Sequence, residues 1–200
     1  NTGDAAVLTG PRIMVTSSYL TNQFLIAMPT LEDPNFFHSV TYICEHNEEG
    51  ALGLVINRPL DMQLSEVLEH IQVSKSTPEA RQIPVHLGGP VQQDRGFVLH
   101  SPLGQWEATL KVTDRIGITS SIDILKAIAT NEGPEHSLVA LGYAGWGSGQ
   151  LEQELADNAW LSCPADPDIL FNTPDEARWK AAASSLGIDL DLLSGEAGHA

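Results

Sequence analysis

The stretch VTYICEHNEEGALGLVIN, residues 40–57, decides the fold class of this chain. Its two ends, Val40 to Cys44 and Ala51 to Asn57, are rich in the β-branched and large apolar residues that are typical of strands. Between them, Glu45 to Gly50 is polar and ends in glycine, which favours a tight reversal of the chain. The stretch therefore predicts a β-hairpin, and Arg58-Pro59 is expected to end its second strand.

Working outward from the hairpin, Phe24 to Ala27 predicts a short strand that is separated from it by the turn-forming Asp33-Pro34-Asn35. A short amphipathic helix follows the hairpin, because apolar residues recur there at helical spacing, namely Leu64, Val67, Leu68 and Ile71. The segment from Val73 to Pro84 is polar and contains proline, so we expect a flexible loop.

The rest of the chain mixes strands and helices without regular alternation. Strands are predicted at Val85 to Leu87, Gly96 to His100, Glu107 to Thr113 and Ser137 to Tyr143. Helices are predicted from about Ser121 to Thr130, from Gln150 to Asn158 and from Thr173 to about Leu186. Because no internal repeat or linker interrupts this order, we predict a single α+β domain.

Charge and composition narrow the classes of function. The chain has 26 acidic and 10 basic residues among 200, for a net charge of −16, which disfavours phosphate backbones and anionic membranes as partners. No run approaches the ~18 apolar residues of a membrane span. Cys44 and Cys163 match no disulfide or zinc-finger spacing, so we expect a reducing, cytoplasmic setting and neither a cofactor nor a bound metal.

The N-terminal residues are set aside from the functional argument. Residues 1–13 precede Met14 and do not begin with methionine, so we expect them to be a vector-derived leader. The predicted domain then covers residues 14–200.

The segment Gly145 to Gly149 (GWGSG) is interpreted as a loop between a strand and a helix, where backbone N–H groups could meet an anion. It lacks the lysine and hydroxyl of a phosphate-binding loop, because Gly149 precedes Gln150-Leu151-Glu152. Its G-x-G-x-G spacing is not the dinucleotide fingerprint, and Ser148 lacks the flanking glycines of a nucleophile elbow. The sequence therefore indicates no catalytic residue here.

A metal site is conceivable at His38, Cys44 and His46, since residues 44 and 46 of a strand point to the same face. The competing interpretation is that Cys44 is a small buried apolar residue, as a lone cysteine in a β-rich run usually is.

Arg58, Arg95 and His100 are the candidate binding residues, because each lies where an apolar run begins or ends and strand ends can gather at a cleft. We expect them to meet the glycine segment, and so add Gly145, Trp146, Gly147 and Gly149 to the candidate site. Each candidate also has a structural alternative. Either arginine could form a surface ion pair or a turn-stabilising hydrogen bond, and His100 could be a fully hydrogen-bonded histidine. The glycine segment could be a tight structural turn. Core packing is the alternative for Trp146, as it is for Trp160 and Trp179.

Several long, ordered blocks of the sequence resemble the bacterial AlgH/YqgE family. These blocks are FLIAMP (24–29), SVTYICEHNEEGALGLVINRP (39–59), LGGPVQQDRGFVLH (87–100), GYAGWGSGQLEQEL (142–155), ILFNTPDEARW (169–179) and the terminal GHA (198–200). The resemblance implies a complex α+β fold with coiled or bifurcated mixed β-sheets. Proteins of this family are often described as transcriptional regulators, but the resemblance brings no catalytic mechanism.

Two functions follow from these observations. We expect a non-enzymatic binding or regulatory adaptor that acts indirectly on transcription, through a protein partner or a small ligand. The alternative is an enzyme of unknown reaction with its site near the glycine segment. No basic recognition helix is visible, since lysines and arginines are scattered singly along the chain.

The charge predicts that this protein does not bind duplex DNA directly at physiological salt, because non-specific binding depends on neutralising phosphates. Titration of a fluorescent duplex, followed by anisotropy, should show no binding at micromolar protein. Micromolar or tighter binding that weakens steeply with added salt would contradict the prediction.

Overall fold

The structure, a computed structural model, describes residues 19–190 and residue 192. The expected leader, residues 1–13, and the terminal GHA motif lie outside the described residues. The strands within them are β1 (Gln23–Ala27), β2 (Val40–Asn47), β3 (Gly50–Val55), β4 (Pro59–Gln63), β5 (Pro84–Leu87), β6 (Val91–Ser101), β7 (Thr109–Lys111), β8 (Gly117–Thr119), β9 (His136–Gly147) and β10 (Trp160–Pro164). The helices are α1 (Leu64–His70), α2 (Pro78–Arg81), α3 (Ile122–Ala129), α4 (Gln150–Ala156), α5 (Pro167–Phe171) and α6 (Asp175–Ser184). None of these helices is long and apolar enough to cross a membrane.

The strands form one mixed sheet in the order β10-β1-β2-β3-β9-β6-β8-β7. Strand β4 pairs with β5, and β5 pairs in parallel with β9, while the other pairs in the described residues are antiparallel. Strand β9 pairs with β3 through Ala144 to Gly147 and with β5 through Val139 to Leu141. The sheet therefore branches at β9, and the predicted α+β fold with a bifurcated mixed sheet is confirmed.

The hairpin that decides the fold is formed by β2 and β3. Tyr42 lies opposite Leu54 and Asn47 lies opposite Gly50, so only Glu48 and Glu49 remain in the turn. A β-bulge between Ile43 and Glu45 shifts the register of the pair. The hairpin prediction is confirmed, with both strands slightly displaced from their expected ends.

Helices cover both faces of the central strands. Val98 of β6 and Val139 of β9 are packed in one apolar cluster with α1 and α3. Their neighbours Leu99 and Ala140 point to the other face, in a cluster that includes residues of α5 and α6. The alternation of side chains along each strand thus builds two cores from one sheet.

The segment expected to be a flexible loop, Val73 to Pro84, is held in place. It contains α2, whose N-cap residue Thr77 accepts a hydrogen bond from Ala80 N at 3.1 Å. The Thr77 backbone N–H also donates to Ala129 O at 2.8 Å, which ties the segment to the end of α3. The flexible-loop prediction is wrong, because capping and tertiary hydrogen bonds outweigh the polar composition.

Other boundaries differ from prediction. The strand expected from Glu107 to Thr113 is reduced to β7 at the sheet edge, and the helix expected from Thr173 to Leu186 runs only through α6. Five elements were not predicted, namely β4, α2, β8, β10 and α5. They have three to five residues each, so periodicity gives little signal.

The glycine segment is not a loop. Gly145, Trp146 and Gly147 are the last residues of β9, and they pair with Leu52, Ala51 and Gly50 of β3. Two glycines face each other at this end because a Cβ on Gly50 would lie 2.2 Å from Trp146 O. Only Ser148 and Gly149 form a turn, and Gly149 (φ 75°) is the N-cap of α4. The loop prediction is wrong, since here glycine permits close strand packing.

The middle of β9 depends on another close backbone approach. Gly142 has φ 78°, and a Cβ there would lie 2.4 Å from Gly89 O and 3.1 Å from Val91 O. The turn between β5 and β6 therefore packs directly on the β9 backbone, which excludes any side chain at residue 142.

Replacing Gly142 with alanine should lower the free energy of unfolding by more than about 2 kcal/mol, because strain from positive φ adds to a steric clash. Gly149→Ala is the matched control, since Gly149 has φ 75° but no atom within 4 Å of a built Cβ. Urea unfolding of both variants measures the difference. Equal losses of unfolding free energy in the two variants would show that the steric clash at Gly142 does not contribute to the loss.

Candidate functional site

One candidate site is a largely apolar cavity of about 520 Å³ between α1, α3 and the start of β6, which we call the α1–α3 groove. Its apolar lining comes from Met62, Val67, Ile71, Ile122, Leu125 and Leu141. Polar side chains at the groove are Glu66, His70, Asp94, Arg95 and Ser120. A largely apolar concavity with a few polar groups is typical of a binding site.

A bulge in β6 places Arg95 at the groove. Val91 pairs with Tyr143 and Gly96 pairs with Leu141, so four residues of β6 span an interval of one residue on β9. Gln92, inside the bulge, has φ 50°, in the left-handed region. Bulges bend a strand and redirect side chains, and they are over-represented next to functional sites.

The Arg95 guanidinium has spare donors. Its Nη2 donates to Ser120 Oγ at 3.1 Å, its Nη1 lies 3.4 Å from Gln92 Oε1, and its Cζ lies 5.6 Å from the centre of the Phe97 ring. Arg95 forms no ion pair in the described part of the chain. An exposed arginine with unused N–H groups at an apolar cavity can bind a carbonyl or carboxylate oxygen.

The start of α3 is fixed by Asp123. Its carboxylate accepts hydrogen bonds from the Ser121 hydroxyl at 2.5 Å, Glu107 N at 2.9 Å and Ile124 N at 2.9 Å. Desolvation would raise the pKa of Asp123, but these hydrogen bonds hold it below its ordinary value. These hydrogen bonds fix the start of the helix, where Ile122 lies at the groove with 46% of its surface exposed.

Arg58 lies elsewhere and supports a turn. Its Nη1 donates to Pro34 O at 2.5 Å and its Nη2 to Phe37 O at 2.7 Å, so it closes the connection between β1 and β2. Partial burial lowers the pKa of Arg58, and the Asp33 carboxylate opposes this shift. These contacts correspond to the alternative of a turn-stabilising hydrogen bond.

His100 is a buried, fully hydrogen-bonded residue. Nδ1 lies 3.0 Å from Pro102 O and Nε2 lies 2.7 Å from Thr119 Oγ1. Because a carbonyl oxygen only accepts, we assign the proton to Nδ1, and the Thr119 hydroxyl then donates to Nε2. Burial lowers the pKa of His100, and the bond to Pro102 partly opposes this effect.

Trp146 in the glycine segment belongs to an aromatic cluster. Its Nε1 and that of Trp160 each donate to Glu154 Oε1 at 3.0 Å, and the Phe36 ring packs against both indoles. Trp179 is also buried and donates to Ala27 O at 2.9 Å. All three tryptophans are therefore packed against other parts of the protein, as the alternative interpretation expected.

The structure does not bring the sequence candidates together. No hydrogen bond or ion pair within residues 19–190 joins Arg58, Arg95, His100 and the glycine segment to one another. His100 pairs with Ser137 of β9. Ser137 lies eight residues before Gly145 in the same strand, which corresponds to roughly 26 Å along the strand. Of the candidates, Arg95 alone lines the α1–α3 groove, so the expected convergence is not found.

Each of the three conceivable metal ligands makes other contacts. The His38 ring is stacked between Phe37 and Trp179, and the Cys44 thiol is buried 3.8 Å from Tyr42 O. His46 Nδ1 accepts from Leu20 N. Among the described residues, no group of three or more histidine, cysteine or acidic side chains is arranged to hold a metal ion.

Comparison with known proteins identifies the family. The AlgH-like family profile matches residues 24–191. The chain belongs to the AlgH-like family. It is 65% identical to a UPF0301 protein of Thioalkalivibrio sulfidiphilus and 59% identical to one of Nitrosococcus oceani, in each case over 94% of this chain and 100% of the relative.

Two solved structures share the AlgH-like fold. The solution structure of the AlgH protein from Pseudomonas aeruginosa is 54% identical and matches with a TM-score of 0.77 over 92% of this chain and 97% of that one. The crystal structure of DIP2367 from Corynebacterium diphtheriae is 21% identical and matches with a TM-score of 0.67, over 90% and 96% of the two chains. The second match supports the fold alone.

Sequence reasoning missed a buried polar network in this AlgH-like protein. The Asp175 carboxylate binds His86 Nε2 at 2.8 Å and pairs with Arg178 one helical turn later. Desolvation would raise the pKa of Asp175, but the hydrogen bond from His86 and the charges of both partners lower it. Arg178 also donates to Ile169 O and Leu170 O, so the network links α6 to α5 and β5. The only sequence signal was the acidic start of α6.

The lowered pKa of His100 predicts a pH dependence of stability. As pH falls below the ordinary value of 6.5, the unfolded chain binds a proton that folded His100 does not. Folding stability from this residue is therefore lost between pH 6.5 and the lower folded-state pKa. The uncharged variant His100→Gln should lose less stability than the wild type when pH falls from about 7.5 to about 5.5. Urea unfolding at both pH values checks this, and parallel losses would contradict it.

Proposed function

We propose that this AlgH-like protein is a non-enzymatic binding protein, a regulatory adaptor of the bacterial cytoplasm whose partner inserts an apolar side chain into the α1–α3 groove. The observation that carries the proposal is the composition of the groove. It is an apolar cavity of about 520 Å³, and Arg95, placed at its edge by a β-bulge, has spare hydrogen-bond donors. Interfaces are anchored by a few side chains that fill such pockets.

The charge of the chain defines the partner more closely. The net charge is −16, and Glu66 and Asp94 add carboxylates at the groove. A segment with basic residues beside its apolar anchor would be attracted to this surface, while Arg95 could bind a backbone carbonyl of the same segment. We therefore propose a partner protein with an exposed, basic-flanked apolar segment.

The net charge also bears on how such a protein could affect transcription. Attraction to a phosphate backbone requires basic surface, and the net charge is −16. A regulatory effect would therefore pass through the partner protein rather than through direct contact with DNA.

The glycine segment gives little support to the alternative of an enzyme. Its backbone is used in pairing with β3, Gly147 N donates to Gln150 Oε1 at 2.9 Å, and the Ser148 hydroxyl donates to Glu48 O at 2.6 Å. Groups that are already hydrogen-bonded in this way are poorly placed to bind a reacting molecule.

The test is capture of partners from a bacterial lysate by immobilised wild type and by two charge-matched variants. Ile122→Glu puts a carboxylate at the groove, whereas Leu186→Glu changes a residue of similar exposure, 40% against 46%, that does not line it. A partner of the groove should be captured by the wild type and by Leu186→Glu, and at least tenfold less by Ile122→Glu.

Arg95→Ala should reduce capture of the same partner severalfold, and added salt should weaken it because the proposed flanks are basic. Circular dichroism would show that each variant is folded. Undiminished capture by Ile122→Glu would overturn the groove as the binding site. Turnover of a metabolite by the purified protein, unaffected by the groove variants, would favour the enzyme instead.

A further inference from the structure

A second cavity lies on another part of the α3 surface, outside the groove. It is an open cavity of about 670 Å³ between the segment Gln72–Lys75 and α3, and the indole of Trp106 forms part of its wall. Lys75 lies on the first side and Lys126 on the second. We call this cavity the lysine cleft.

The position of Lys75 is fixed by the backbone. Val73 N donates to Leu68 O at 2.8 Å, and Thr77 N donates to Ala129 O at 2.8 Å. The segment between these bonds is therefore attached to α1 on one side and to the end of α3 on the other. The backbone that carries Lys75 is therefore anchored at both ends, and Lys75 and Lys126 line the cleft from two different elements.

Within the described residues, both lysines are without a carboxylate partner, although the full chain has 26 acidic residues. Neither Lys75 nor Lys126 forms an ion pair in the part of the chain that the structure describes. Glu132 also lines the cleft, but its Oε1 accepts a hydrogen bond from the Thr130 hydroxyl at 3.2 Å. The Ser74 and Gln72 side chains add further donors to the cleft.

These features match an anion that carries a flat ring. Two ammonium groups can share one phosphate, sulfonate or carboxylate, and an indole contacts planar rings through its face or edge. The net charge of −16 opposes anions at long range, but at physiological salt charges more than about 8 Å away are largely screened. The two ammonium groups therefore outweigh the one carboxylate that lines the cleft, Glu132, together with the screened distant carboxylates.

We propose that the lysine cleft binds a small anion with a planar aromatic ring, with Lys75 and Lys126 holding the anionic group and Trp106 contacting the ring. This site is separate from the α1–α3 groove and does not depend on the proposed function. Because α3 lines both cavities, a small molecule bound in the lysine cleft could change the affinity of the α1–α3 groove for its partner.

The test compares three probes by isothermal titration calorimetry at physiological ionic strength, where the distant carboxylates are screened. AMP has the ring and the charge, adenosine lacks the charge, and ribose 5-phosphate lacks the ring. AMP should bind at least tenfold more tightly than either of the others. Equal affinity for adenosine and AMP would overturn the role of the lysines, and equal affinity for ribose 5-phosphate and AMP would overturn the role of the ring.

The same titration with protein variants locates the site. Lys75→Gln combined with Lys126→Gln should weaken AMP binding at least tenfold. Lys111→Gln combined with Arg115→Gln removes the same charge from two exposed residues outside the cleft and should leave AMP binding within twofold of wild type. Equal weakening by both pairs would show a general charge effect and overturn the proposal, as would no weakening by the first pair.

Discussion

Close backbone packing along β9 is the constraint on which the other features depend. This strand joins the two halves of the sheet, since it pairs with β3 near its end and with β5 and β6 over its first half. Gly142 has no room for a side chain against Gly89 O, and Gly50 has none against Trp146 O. The absence of side chains at these places allows one strand to serve three neighbours, and so produces the branched sheet.

The groove follows from this packing. Where the turn between β5 and β6 lies against β9, β6 leaves the regular ladder, and the bulge that results carries Asp94 and Arg95 away from the core. Helices α1 and α3 pack on the same face of the sheet and supply the apolar walls. The proposed binding surface is thus a consequence of how the strands pair and does not require a separate functional loop.

Three polar residues that looked alike in the sequence have different roles in the structure. Arg58, Arg95 and His100 each stand at the end of an apolar run, yet Arg58 binds the carbonyls of a turn and His100 is buried against Thr119. Only Arg95 lines the groove and keeps spare donors. The sequence could not separate them, because the role of each depends on residues about 20 or more positions away, or on a bulge set by a neighbouring strand.

The sequence by itself determined the hairpin, the amphipathic helices and the family, because these depend on local periodicity, turn residues and long ordered motifs. It also determined the acidity that shapes both proposals. Tertiary structure alone decided that Gly145 to Gly147 form a strand, that the segment Val73 to Pro84 is fixed, and that Lys75 and Lys126 line one cleft. In each case at least one deciding contact is with a distant part of the chain, so its free energy has no signature in the local sequence.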